Sequence, residues 1–144
     1  MIYAHSVSPQ RASRRRGQKG SALVEGALCF AAMMALLFGA VEFGTAVYAF
    51  NACAFAAESG ARWASVRGTN SASPATADQV QSVVRNQVVG LAKSKILVTT
   101  TWIPDKKPGS VVKVRVDYAY SPMVKLILKS NLALGSTSKV VITN

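Results

Sequence analysis

The 144-residue chain has few of the side chains that most enzymatic chemistry needs. It has one histidine, His5, two cysteines, Cys29 and Cys53, and six acidic residues in all. The sequence shows no Cys–His pair, no clustered carboxylates, no glycine loop of the kind that cradles phosphate, and no metal-ligand spacing. These absences argue against an enzyme and against a resident metal or cofactor. The two cysteines lie 24 positions apart. On one helix that is ~36 Å, whereas a disulfide needs Cα atoms within about 7 Å. Cys29 therefore reads as a small apolar residue in a hydrophobic run. Cys53 reads as a small buried residue, with pairing between chains as the alternative in an oxidising compartment.

Charge is also scarce, at 16% of residues, while half of the chain is hydrophobic. The apolar surplus is concentrated. Positions 26–41, GALCFAAMMALLFGAV, contain sixteen residues without a charge. With residues 21–25 added, the helix is about 32 Å long at ~1.5 Å per residue, enough to cross a hydrocarbon core of about 30 Å. The formal charge of +11 has two sources. Residues 1–20 carry Arg11, Arg14, Arg15, Arg16 and Lys19 and no acid; the remainder carries twelve basic and six acidic residues. Basic residues just before a hydrophobic span stay cytoplasmic, so the C-terminal part is expected outside. The other cations are scattered and no aromatic platform is interleaved with them. They suit a solvated or anion-facing surface, and nucleic acid is not expected as a partner.

The expected architecture is α+β: a long N-terminal transmembrane and stalk helix, then a small domain with one helix on a three-stranded antiparallel sheet. Residues 1–20 form a basic leader, 21–42 the membrane segment, 43–67 an amphipathic helical stalk and 68–144 the domain. The helix is expected over roughly 21–66, with Phe43, Val47, Phe50, Ala54, Ala57, Ala61 and Ala64 as a heptad-like stripe. A second helix is expected over about 74–93, started by Ser73 and Pro74, with Val80, Val83, Val84, Val88 and Leu91 on its apolar face. ILVTTTWI, 96–103, and the alternating VVKVRVDY, 111–118, form a hairpin across the turn PDKKPGS. Residues 123–134 are ambiguous between helix and strand, and 136–143 form a last strand.

One residue in the apolar run needs a reason: Glu25, a carboxylate little more than a turn inside. A conventional cleaved secretory signal and a lipoprotein site both fit the residues poorly. Lys19-Gly20-Ser21 followed by Glu25 resembles a prepilin peptidase site, in which the leader is cut after Gly and the fifth mature residue is Glu. Over 21–66 the text is similar throughout to the TadE-like family of minor pseudopilins. Val41-Glu42-Phe43-Gly44, Tyr48 and Ala56-Ala57-Glu58-Ser59-Gly60-Ala61-Arg62 carry that likeness best. VKVRVDYAYSP, 113–122, resembles the family's C-terminal strand more weakly. Ser21 stands where classical type IV pilins favour Phe. Gly26 stands where the major Flp pilin has Tyr.

The resemblance implies a protein that is trimmed between Gly20 and Ser21 by a prepilin peptidase. It would be held in the inner membrane by one span, with its N-terminus cytoplasmic and its domain periplasmic. It would take part in assembling Flp (type IVb, tight-adherence) pili, supporting adhesion and biofilm. Its partners would be the peptidase, other pseudopilins, the Flp major pilin, the inner-membrane Tad secretion platform and membrane lipid. Glu25 is the expected assembly residue, meeting the Ser21 amine of a neighbouring subunit. Glu42, Phe43, Gly44, Tyr48, Gly60 and Arg62 form the helix motif, with Glu42 marking the outer membrane interface and Arg62 solvated or paired with Glu58. Trp63 and Trp102 read as packing residues. The rival readings are an uncleaved single-pass protein with a periplasmic scaffold or ligand-binding domain, and a basic nucleic-acid binder.

Overall fold

The structure, a computed structural model, describes residues 18–122 and 132–144. In chain order it contains helix α1 (Gln18–Ser65), helix α2 (Ala77–Gln87), a short 3-10 turn (Lys93–Lys95), and strands β1 (Ile96–Ile103), β2 (Val111–Tyr120) and β3 (Leu132–Val141). The fold class is as expected: a long apolar N-terminal helix and a small domain with one short helix and a three-stranded antiparallel sheet. Contacts divide the chain into two units, residues 1–38 and 39–144. In the first, the described residues are all helical.

In the second unit the sheet order is β1-β2-β3. β1 pairs with β2 from Ile96↔Tyr118 to Ile103↔Val111. β2 pairs with β3 from Val111↔Val141 to Tyr120↔Leu132, in unbroken register. Alternation along β2 decides which face is buried. Val112, Val114, Val116, Tyr118 and Tyr120 are buried, while Lys113, Arg115 and Asp117 point to the other face. The β1–β2 turn is held by Asp105, whose carboxylate accepts from the Ser110 hydroxyl and the Lys107 backbone N–H. The Ser110 bond, then the Lys107 amide, lowers its pKa below the ordinary carboxylate value. Gly109 closes the turn at φ 91°, a left-handed conformation that glycine adopts without steric penalty.

The core joins three layers of side chains. α1 contributes Ala49, Cys53, Ala56, Ala57, Ala61 and Ala64; α2 contributes Val80 and Val84; the sheet contributes the inward valines of β2. Burying each valine is worth roughly 1.5–3 kcal/mol. The residues expected as a stalk, 43–67, thus supply one layer of this unit. The buried stripe also differs from the expected one. Ala57, Ala61 and Ala64 are buried as expected, but Phe43, Val47 and Phe50 are exposed, and Ala49, Cys53 and Ala56 lie inside instead. The reason is close approach: a Cβ built on Gly60 would lie 2.5 Å from Val84 Cγ2, so only small side chains fit this face.

Other boundaries shift too. α2 starts at Ala77, because Thr76 forms a capping box with Gln79 that satisfies two end N–H groups, which Ser73 and Pro74 do not. It ends at Gln87 rather than 93: Val88 is extended and Gly90 has φ 76°. Val88 stays buried and Leu91 still packs on the core, but from extended chain. β2 runs to Tyr120, two residues beyond the expected end, and β3 occupies Leu132–Val141 rather than 136–143. Of the ambiguous stretch 123–134, only Leu132–Leu134 is described, as the start of β3. The leader falls almost wholly outside the described residues.

Candidate functional site

In the first unit, residues from Gly20 to Phe38 form a helix whose side chains are almost all exposed. Leu23 and Leu28 keep 76% and 72% of their surface, and Phe30, Leu36, Leu37 and Phe38 are also exposed. Water does not tolerate so long an apolar surface on an isolated helix; a bilayer or neighbouring helices do. Helix Gly20–Ser65 holds a stretch long and apolar enough to cross a membrane. Ser21 and Glu25 are four residues apart in α1 and so share a helix face. Glu25 is the one charged residue between Gly20 and Val41. At a bilayer centre a carboxylate costs about 2.5–3.5 kcal/mol, less near the edge. A cationic partner offsets that cost.

In the second unit the structure separates the motif residues by role. The Tyr120 hydroxyl donates to Glu42 Oε1 at 2.6 Å. Thr45 Oγ1 lies 2.7 Å from the same hydroxyl and donates to the Glu42 carbonyl. Glu42 is thus tied to the end of the central strand. The Tyr48 hydroxyl donates to the Val89 carbonyl at 3.0 Å, and its ring lies beside Gly90. Gly60 is the close-approach point against α2. Arg62 pairs with Glu58 on the exposed side of α1. Phe43 is exposed, and a Cβ on Gly44 would meet open space among the described residues.

A groove of about 620 Å³ runs between this exposed side of α1 and β3, lined by Ala54, Glu58, Arg62 and residues 136–140. Arg67 lies over the Trp63 ring at 4.2 Å, and Lys106 over Trp102 at 4.2 Å. Both rings are half-buried packing elements, each covered by a cation. Cys53 is fully buried, so its thiol is closed to a second chain. Burial, then the Asp117 charge, raises its pKa above the ordinary thiol value. Among the described residues no His, Cys, Asp and Glu side chains gather into a set able to hold a metal ion.

Tyr120 and Thr45 lie outside the helix motif read from the sequence. A signal existed: Tyr120 continues the alternation of Val112 to Tyr118, and so points inward. Burial first, then the bond to Glu42, raises its pKa above the ordinary phenol value.

Residues 20–62 match the TadE-like protein family. The match begins at Gly20 and takes in Ser21, Glu25 and every helix-motif residue through Arg62. The weaker likeness over 113–122 lies outside it. No curated protein and no solved structure gives a significant match to the chain. The TadE-like segment relates the chain to the Tad pilus machinery, and its apolar helix fits a single-pass membrane protein of that system.

Proposed function

We propose that the chain is a minor pseudopilin of a Tad (Flp, type IVb) pilus. The TadE-like match over 20–62, on an exposed apolar helix with Glu25 near its start, carries the reading. A prepilin peptidase cuts between Gly20 and Ser21 and frees a cationic amine at Ser21. Glu25 of one subunit then pairs with that amine on a neighbour. The pairing offsets the cost of desolvation and sets the axial stagger between helices. The span sits in the inner membrane, N-terminus inward, and the domain stands in the periplasm. The Tad secretion platform, other pseudopilins and the Flp major pilin are its partners, and adhesion and biofilm are the outcome. The protein is a peptidase substrate and a structural subunit rather than an enzyme.

The deciding measurement is the N-terminus of the protein purified from membranes of cells with the cognate peptidase. A start at Ser21 supports the reading. An intact Met1, with the peptidase active on a control, replaces it with an uncleaved single-pass protein bearing a periplasmic scaffold domain.

A further inference from the structure

One face of the sheet has no layer over it among the described residues. Its side chains fall into cross-strand rows. Ile103, Val111 and Val141 stand in register as one aliphatic row, and Thr101, Lys113 and Lys139 form the next. Ile103 and Val141 keep 48% and 53% of their surface. Lys113 is directly opposite Lys139, about 5 Å away between Cβ atoms, where like charges destabilise a sheet. Among the described residues neither amine has a hydrogen-bond or ion-pair partner. The one acid on this face among the described residues, Asp117, is already held by both Nε and Nη2 of Arg115.

We propose that this face docks an acidic protein surface, with carboxylates of the partner reaching Lys113 and Lys139 while its apolar side chains cover the Ile103–Val111–Val141 row. The charge is complementary: two adjacent cations without counter-ions accept carboxylates with no competing acid to displace. The aliphatic row beside them matches the mixed apolar and charged make-up of protein interfaces. A nucleic acid is a poorer occupant, because the face has no aromatic ring for a base to stack on. The inference does not depend on leader cleavage or on Glu25.

The test uses the full chain in detergent micelles, poly-L-glutamate as the acidic-polypeptide probe, and lysine acetylation read by mass spectrometry. Poly-L-glutamate is expected to protect Lys113 and Lys139 ahead of Lys93 and Lys107. Lys113→Gln should weaken binding about tenfold, as for loss of one charge-assisted contact. Lys93→Gln and Lys107→Gln should leave it nearly unchanged. Lys139→Glu should keep or raise the thermal midpoint yet abolish protection of Lys113, which separates lost docking from lost folding. Uniform protection of all lysines, or full protection of Lys113 in folded Lys139→Glu, overturns the proposal. So does tighter protection of the pair by duplex DNA or by phosphatidylglycerol vesicles at equal charge, which would make the occupant a phosphate-bearing polymer or surface.

Discussion

The Tyr120 hydroxyl lies 2.6 Å from Glu42 Oε1, joining the last residue of β2 to the first carboxylate after the apolar run. The two are 78 positions apart in the chain. Tyr120→Phe removes the donor and leaves the half-buried carboxylate with one partner fewer. A bond to a charged acceptor is worth about 1.5–3 kcal/mol. Thermal unfolding of the variant in detergent should show a loss of that order, and an unchanged midpoint would mean that water replaces the phenol.

Gly60 of α1 sits tightly against Val80 and Val84 of α2. A methyl group there meets Val84 Cγ2 at 2.5 Å, and valine is too stiff at χ1 to turn away easily. Gly60→Ala should destabilise by about 1–3 kcal/mol despite better helix propensity. Adding Val84→Ala should recover part of the loss. Denaturant midpoints of the single and double variants give the comparison.

Alkaline pH should weaken the fold. Burial raises the pKa of Cys53 above 9.0, and burial with the Glu42 bond raises that of Tyr120 above 10.0. Both groups hold their proton more tightly when folded. Their contribution is therefore intact below those ordinary values and is lost as pH rises through the folded ones. Denaturation midpoints should fall as pH rises past the ordinary thiol and phenol values, and should fall less in Cys53→Ala and in Tyr120→Phe than in the parent chain.

Lys139→Glu places an acid opposite Lys113. Exchanging a like-charge cross-strand pair for an opposite-charge one should stabilise the chain by about 0.2–1 kcal/mol. A gain in stability from a surface change would indicate that the lysine serves something other than folding. A thermal midpoint below that of the parent chain would show that the two amines do not repel on this face.

Glu25→Ala removes the carboxylate from the apolar helix. Membrane insertion should be unchanged or improved, since the charge opposes it. Co-assembly with partner subunits should fail. Carbonate extraction reads the first and co-purification with pilus subunits the second; normal co-assembly would show that Glu25 has no cationic partner.

Much of this was legible in local pattern. Sixteen uncharged residues after a basic cluster mark a helix long and apolar enough to cross a membrane. The alternation Val112, Val114, Val116 against Lys113, Arg115, Asp117 assigns the two faces of β2, because the strand period is two. The Gly20–Glu25 spacing was likewise visible and falls inside the TadE-like match, whereas only Ala57, Ala61 and Ala64 of the expected stripe are fully buried. Helix ends were less legible. Ser73-Pro74 and Thr76-x-x-Gln79 are both plausible starts, and the choice depends on which side chain reaches the free N–H groups.

Local periodicity and composition therefore determined the apolar helix, the second helix, the strands and the two faces of β2, while the candidate processing site rests on its resemblance to prepilin peptidase sites and the buried face of α1 was not given by its period. Tertiary structure alone decided that residues 49–64 belong to the core of the second unit, because the register of α1 against the sheet depends on which side chains are small enough to let Val84 and Val114 approach. It also decided that Glu42 is tied to Tyr120 and that Lys113 faces Lys139. Those pairings depend on strand register and helix packing, which join residues dozens of positions apart and leave no trace in the spacing of either partner.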